Sequence, residues 1–260
     1  VSIGILGISI SQSNLGLICL PLSFAGILDD RFHLPSYIRY IIQIITSILI
    51  INNTSFMDIS ITYIPRFILL IALIIFATAI INFVNFMDGI DGLVAGLFTS
   101  LLITCLFLGH YELLYLIGAL IGFLAINWSP AKVFMGDVGS TFLGAIFVGI
   151  LFESQSRYDF LEFFLLAFPL LADSFTCIVR RLIDKQNIFK AHRLHLYQRL
   201  VAGGLSHSNV ALIYIIASVI LSISCLLVGL KLMILVSLFE LFIGIWLDQN
   251  VAIKFYSESQ

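Results

Sequence analysis

The stretch Asn82-Phe83-Val84-Asn85-Phe86-Met87-Asp88-Gly89-Ile90-Asp91-Gly92 decides how this chain is read. It follows a nearly unbroken apolar run from Phe67 to Ile81, so its polar groups arrive where a membrane helix ends. Asn82, Asn85, Asp88 and Asp91 recur every three residues. Positions i and i+3 share one side of a helix, so the first three form a polar stripe. Gly89 and Gly92 then let the backbone turn or let a ligand come close. Two carboxylates and two amides at a membrane edge suit a hard cation and a phosphorylated substrate. The plain alternative is a solvated helix end with capping side chains.

Composition points the same way. Hydrophobic residues make up 60% of the 260-residue chain and charged residues 11%, with a mean hydropathy of +1.11. Soluble domains carry about 25% charged residues, so lipid is the main solvent here. A net charge of −2 argues against a nucleic-acid partner. Cys19, Cys105, Cys177 and Cys225 lie in apolar segments without a Cys-x-x-Cys pair, and read as small hydrophobes rather than a disulfide framework or a zinc site. No Lys or Arg precedes Arg31, whereas a signal peptide carries a charged start, so Val1 reads as the edge of a longer chain.

Apolar runs predict an all-α polytopic membrane protein with nine spans, at 3–28, 37–52, 64–82, 93–108, 113–128, 140–152, 160–179, 209–229 and 232–246. A helix needs about 20 residues to cross the bilayer core, so the short fourth and sixth spans are expected to be partly broken. Strands are excluded because the runs are long and do not alternate. The whole chain, 1–260, reads as one integral membrane domain, with 180–208 as a substrate-binding loop inside it. If loops alternate sides, one side holds or borders ten of the thirteen Lys and Arg residues; only Arg66, Arg157 and Lys231 fall on the other. Positive charge marks the cytoplasmic side, and every suspicious polar motif belongs to that set.

Three further motifs share that side. Asp29-Asp30, ahead of Arg31, place two carboxylates together at a membrane boundary, where one holds its proton tightly unless a cation is near; a stop signal paired to Arg31 is the bland reading. Pro35 begins the next helix. In Asn127-Trp128-Ser129-Pro130-Ala131-Lys132-Val133-Phe134-Met135-Gly136-Asp137-Val138-Gly139-Ser140, Asp137 sits between glycines ahead of a span. Backbone N–H groups there suit phosphate and the carboxylate suits a divalent ion, although Asp137 or Ser140 also reads as an ordinary cap. The basic loop runs from Arg180-Arg181 to Leu200. In it His192 and His195 share a face if helical, and Arg193 can fork onto a pyrophosphate; the remaining Lys and Arg read as head-group contacts. His33, His110 and His207 read as structural. Asp173, inside the seventh span, is either a functional intramembrane acid or a partner for Arg180.

Taken in order, the Asp29-Asp30 pair, the 82–92 stretch, Val133-Phe134-Met135-Gly136-Asp137-Val138-Gly139-Ser140 and His192-Arg193-Leu194-His195-Leu196-Tyr197-Gln198-Arg199-Leu200 resemble the polyprenyl-phosphate N-acetylhexosamine-1-phosphate transferases. This is the glycosyltransferase family 4 group, which includes the phospho-MurNAc-pentapeptide transferases. The last motif is closer to the branch that initiates O-antigen and other surface polysaccharides. The resemblance covers about Gly26 to Leu200. It implies two spans before residue 3, and His33 stands where some branches have Lys.

What the resemblance implies is transfer of N-acetylhexosamine 1-phosphate from a UDP-sugar to undecaprenyl phosphate at the cytoplasmic face of a bacterial plasma membrane. UMP is released and Mg²⁺ is required. Asn85 and Asp137 would ligate Mg²⁺. Asp29 or Asp30 would deprotonate or position the lipid phosphate, and Asp88 and Asp91 would shape the nucleotide site beside Asn82. Asn127 and Phe134 would contact uridine, and His192, Arg193 and His195 would hold the pyrophosphate or sugar. A homodimer is left open. Two rivals are a CDP-alcohol-type membrane phosphotransferase, for which no Arg follows Asp88-Gly89 at the needed spacing, and an ion-coupled transporter, which would place polar groups at the bilayer midplane.

Overall fold

A computed structural model describes residues 14–32, 34–54, 65–187, 190 and 192–255. Among these the chain forms eleven α-helices and no strand. They are α1 (Leu15–Phe32), α2 (Ser36–Asn53), α3 (Arg66–Phe86), α4 (Leu93–Phe107), α5 (Leu114–Asn127), α6 (Gly136–Phe152), α7 (Arg157–Leu166), α8 (Phe168–Ile183), α9 (Leu196–Ala202), α10 (His207–Leu227) and α11 (Leu230–Asn250). The start of the first expected span, His33 and most of the 53–63 loop lie outside the described residues.

The bundle is built around α6. Every residue of that helix from Gly139 to Phe152 is buried, as expected of a helix that is apolar on all sides. Helices α1, α2, α3 and α7 pack on it, while α10 packs on α4 and α11 lies outermost. Gly26 of α1 makes the closest approach. A side chain there would begin 2.5 Å from the backbone nitrogen of Val138, so only glycine lets the two helices meet. Gly26→Ala is therefore expected to push α1 off α6 and to cost at least about 1–3 kcal/mol, the usual cost of overpacking. Thermal unfolding in detergent reads the loss.

Helices α3, α10 and α11 are each 21 residues long and apolar enough to cross a membrane. The expected seventh span is instead two helices, α7 and α8, bent by 78°. Its break falls at Ala167, with Pro169 in the first turn of α8, where proline's missing N–H costs nothing. The fourth and sixth spans are short but unbroken, as α4 and α6 of 15 and 17 residues. At about 1.5 Å per residue they fall below the ~30 Å core.

The loops expected on one side do gather at one end of the bundle. Side-chain contacts tie 29–39 to Asp137, Asp91 to Ala131 and His207, Tyr197 to Phe86, and Arg199 to Ile253. His110, Glu112 and Glu153 meet at loops of the other set.

Candidate active site

Asp29 and Asp30 lie in the last turn of α1, where the carbonyl end of the helix repels negative charge. A cation is needed there, and Arg39 supplies it. Its Nη1 donates to Asp29 Oδ2 at 3.0 Å and to Asp137 Oδ2 at 2.9 Å. Asp137 approaches from the first turn of α6, the end of a helix that favours anions. It does not cap that helix. Ser140 and Thr141 hydroxyls donate back to the Gly136 and Asp137 carbonyls, so neither expected cap forms, and the Asp137 carboxylate is left facing Arg39. Asp30 Oδ2 lies 3.8 Å from the point where a Gly136 side chain would start, next to Asp137.

Asp88 sits just past α3. Burial, and then the Asp137 carboxylate, push its pKa up to about 8 against a hydrogen bond from the Gly136 N–H. A single guanidinium thus bridges Asp29 and Asp137, and Asp88 lies near enough to Asp137 to feel its charge. Asn85 and Asp137 line one cavity, and their oxygens are the ones that would hold a hard divalent cation there.

A cavity of about 320 Å³ opens beside these acids. Its walls include Arg39, Gln43, Asn82, Asn85, Asp137, Lys190, His192 and His195. Asn82 and Gln43 clamp α2 to α3 through a reciprocal amide pair at 2.8 and 3.3 Å, and Asn82 also donates to Thr78 O at 2.7 Å. The charge and the amide on α2 escape a search for motifs because each is a lone polar residue in an apolar helix. Their spacing is the signal: Arg39, Gln43 and Ser47 recur every four residues, on one side of the helix. Gln43 and Ser47 are buried.

The two histidines arrive by a different route. Residues 192–195 are not helical, so they share no helix face; their rings stack instead, with centroids 5.0 Å apart. Burial, then His195 and Arg181, lower the His192 pKa to about 4, which keeps this imidazole neutral. His195 is 2% exposed. Behind it stands Asp173, whose carboxylate accepts the Leu196 and Tyr197 N–H groups at 2.8 and 3.1 Å and the Tyr214 hydroxyl at 2.7 Å. The alternative pairing with Arg180 does not form; Arg180 pairs with Asp248 at 2.7 Å. Tyr197 then donates its hydroxyl to Phe86 O at 2.9 Å, fastening α9 to the end of α3. Gly89 makes room for that hydroxyl, since any side chain there would collide with it.

Much of the basic loop is occupied in holding itself together. Arg181 donates to Asn187 O at 2.5 Å and Lys190 O at 3.2 Å. Arg199 donates to Leu194 O, Ile253 O and the Asp248 carboxylate, and lies 5.5 Å from the Phe255 ring. Both guanidiniums are 3% exposed, which corrects the reading of these two as head-group contacts.

The remaining expected residues lie around the cavity rather than in its wall. Asp91 accepts the Ala131 N–H at 3.2 Å and faces His207 at 3.4 Å. Asn127 accepts the Gly92 N–H at 3.1 Å and donates to Val133 O at 2.9 Å, fixing the two acid-bearing loops to each other. Gly92 there has a φ of 75°, as its expected turning role requires. Phe134 is 74% exposed, and Arg193 is exposed beside the cavity.

An all-helical bundle with an amide-rich cavity that holds one carboxylate, two cationic side chains and two histidines at one end defines a polytopic membrane protein with a polar site. A sequence profile described as glycosyl transferase family 4 matches residues 14–155, and the chain belongs to that family. It is 33% identical over 247 residues to a probable undecaprenyl-phosphate N-acetylglucosaminyl 1-phosphate transferase of Bacillus subtilis, across 87% of this chain and 68% of that one. It is 32% identical over 193 residues to an undecaprenyl-phosphate alpha-N-acetylglucosaminyl 1-phosphate transferase of Thermotoga maritima, covering 71% and 61%. A decaprenyl-phosphate N-acetylglucosaminephosphotransferase of Mycobacterium tuberculosis is 31% identical over 233 residues, covering 72% and 56%. The chain thus spans between 56% and 68% of these relatives' lengths.

Proposed function

We propose that the protein transfers N-acetylhexosamine 1-phosphate from a UDP-sugar to undecaprenyl phosphate, releasing UMP and starting a lipid-linked glycan. The observation that carries this reading is one cavity lined by Asn85, Asp137, His192 and His195, with Arg39 in its wall tying Asp137 to Asp29 and with Asp88 close enough to feel the Asp137 charge. In the reaction an oxygen of the lipid phosphate attacks the sugar-bearing phosphorus, and the bond to UMP breaks. Such transfers depend on positioning and on neutralising phosphate charge. A bound Mg²⁺ would supply part of that neutralisation.

The chain's own residues supply the rest. Arg39, Lys190 and the N–H groups opening α6 face the donor pyrophosphate, and neutral His192 with His195 hold its sugar side by hydrogen bonds. Asp29 or Asp30 positions the lipid phosphate or takes its proton. The positive-charge asymmetry supports a cytoplasmic position for this end, with UDP-sugars dissolved on that side and the acceptor's tail in lipid. Gathering of the polar groups at one end favours this reading over an ion path through the midplane.

The test is UMP release from UDP-N-acetylglucosamine by the protein in membranes containing undecaprenyl phosphate. Release that depends on both Mg²⁺ and the lipid supports the reading. No release from well-inserted protein, or release indifferent to the lipid, counts against it. In the same assay the paired change Asp29→Asn with Asp30→Asn is expected to lower turnover by about 10²–10⁴-fold, the range of general acid–base groups. An undiminished rate would remove both acids from the reaction.

A further inference from the structure

A second group of ligands joins the two histidines of the cavity wall to a cysteine on α8. Cys177 on α8 and His192 and His195 in the loop before α9 each present one donor atom, and the three atoms lie within 4.8 Å of one another. These donors are sulfur and imidazole nitrogen, unlike the oxygens around Asp137. Cys177 is 3% exposed, and His195 Nδ1 is buried without a hydrogen-bond partner. That nitrogen faces Asp173 Oδ1 at 3.7 Å, just beyond hydrogen-bond reach. A carboxylate set behind an imidazole is the arrangement that metal-bound histidines use to fix their tautomer.

We propose that Cys177, His192 and His195 bind a soft divalent ion of the zinc class, through sulfur and nitrogen rather than the oxygens of Asn85 and Asp137, and that the ion clamps the histidine loop to α8 in competition with the sugar donor for the two histidines. Two nitrogens and one sulfur leave a fourth tetrahedral position open to water or a phosphate oxygen. Binding forms one bond from the metal to Sγ and two to nitrogen, and the thiol proton passes to solvent. Ligand atoms around such an ion sit roughly 3.3–3.6 Å apart, from bond lengths of about 2.0–2.3 Å. Closing the site therefore requires an inward shift of the ligand atoms of about an ångström. Arg180, Arg181 and Arg199 lie near enough to Cys177 to oppose a cation. Loss of the thiol proton and the Asp173 carboxylate offset them with two negative charges.

Direct binding decides the matter. Purified protein is titrated with Co²⁺ and followed by the absorption band that a thiolate gives on bonding to cobalt. The expected result is one Co²⁺ per chain with that band, displaced by Zn²⁺ and indifferent to excess Mg²⁺. Cys177→Ser is expected to remove the band and to weaken Zn²⁺ by more than the about 10- to 100-fold that loss of a ligand's outer partner costs; Cys225→Ser is expected to keep both. A wild type without the band, or a Cys177→Ser protein that retains it, overturns the proposal. The effect on transfer, and only that, rests on the function proposed above: Zn²⁺ should slow UMP release, with Cys177→Ser at least tenfold more resistant on the same scale. Equal sensitivity of the two proteins would contradict a clamp at Cys177. A chain that releases no UMP but shows the band would sink the proposed function and leave the metal site standing.

Discussion

Asp137→Asn is expected to reduce sugar-phosphate transfer by about 10³-fold or more while leaving the protein folded and inserted. That scale is the loss seen when one cationic group is removed from a transferring phosphoryl group, and Asp137 would act through the cation it holds. The asparagine keeps the volume and one oxygen, so packing at the start of α6 is preserved. What disappears is a full negative charge that meets Arg39 at 2.9 Å and raises the pKa of Asp88. Removing it should also let Asp88 ionise more readily, because one of the two causes of its raised pKa is gone. Turnover is read by UMP release and folding by thermal melting. A variant that keeps more than a tenth of wild-type turnover would refute the assigned role.

Asp173→Ala is expected to have the second-largest effect, chiefly on stability. This side chain is 4% exposed, and its carboxylate accepts two backbone N–H groups and the Tyr214 hydroxyl. Truncation leaves all three donors buried without a partner, which costs about 3–5 kcal/mol by analogy with breaking a buried charge pair. The first structure to loosen should be α9, followed by the His195 loop that depends on it. Hydrogen exchange should therefore show early loss of protection at Leu196 and Tyr197. Asp173→Asn retains one acceptor oxygen and should lose less. Equal protection in wild type and Asp173→Ala would show that Asp173 does not hold the loop.

How far the fold and site were legible depended on the reach of each interaction. Asn85, Asp88 and Asp137 stood out because hard oxygen ligands are costly within apolar sequence, and each lies a few residues from a predictable helix end. The helices themselves followed from run length. The bend at Ala167 did not, because Phe168 and Pro169 continue the apolar run, and hydropathy averages over a change of direction. Arg39 was counted as one more positive charge on one side. Its bridge between Asp29 and Asp137 depends on how α1, α2 and α6 meet, over sequence separations of 10 and 98 residues. Asp173 shows the same limit: its partners come from α9 and α10, so an alternative on its own helix, Arg180, looked equally good. Arg181 and Arg199 looked like surface charge because composition cannot distinguish a guanidinium in water from one enclosed by carbonyls. Cys177 was read as a small hydrophobe since its prospective co-ligands lie in the next loop, without any recognisable spacing.

The proposal stands on Asn85 and Asp137, from two separate helix ends, holding one divalent cation against a nucleotide pyrophosphate. Electron paramagnetic resonance of Mn²⁺, substituted for Mg²⁺ in the presence of UDP-N-acetylglucosamine, measures this directly. The account predicts one bound Mn²⁺ per chain, with phosphorus hyperfine coupling that Asp137→Asn abolishes. Bound nucleotide with no phosphorus-coupled Mn²⁺, or coupling that survives in Asp137→Asn, would contradict it.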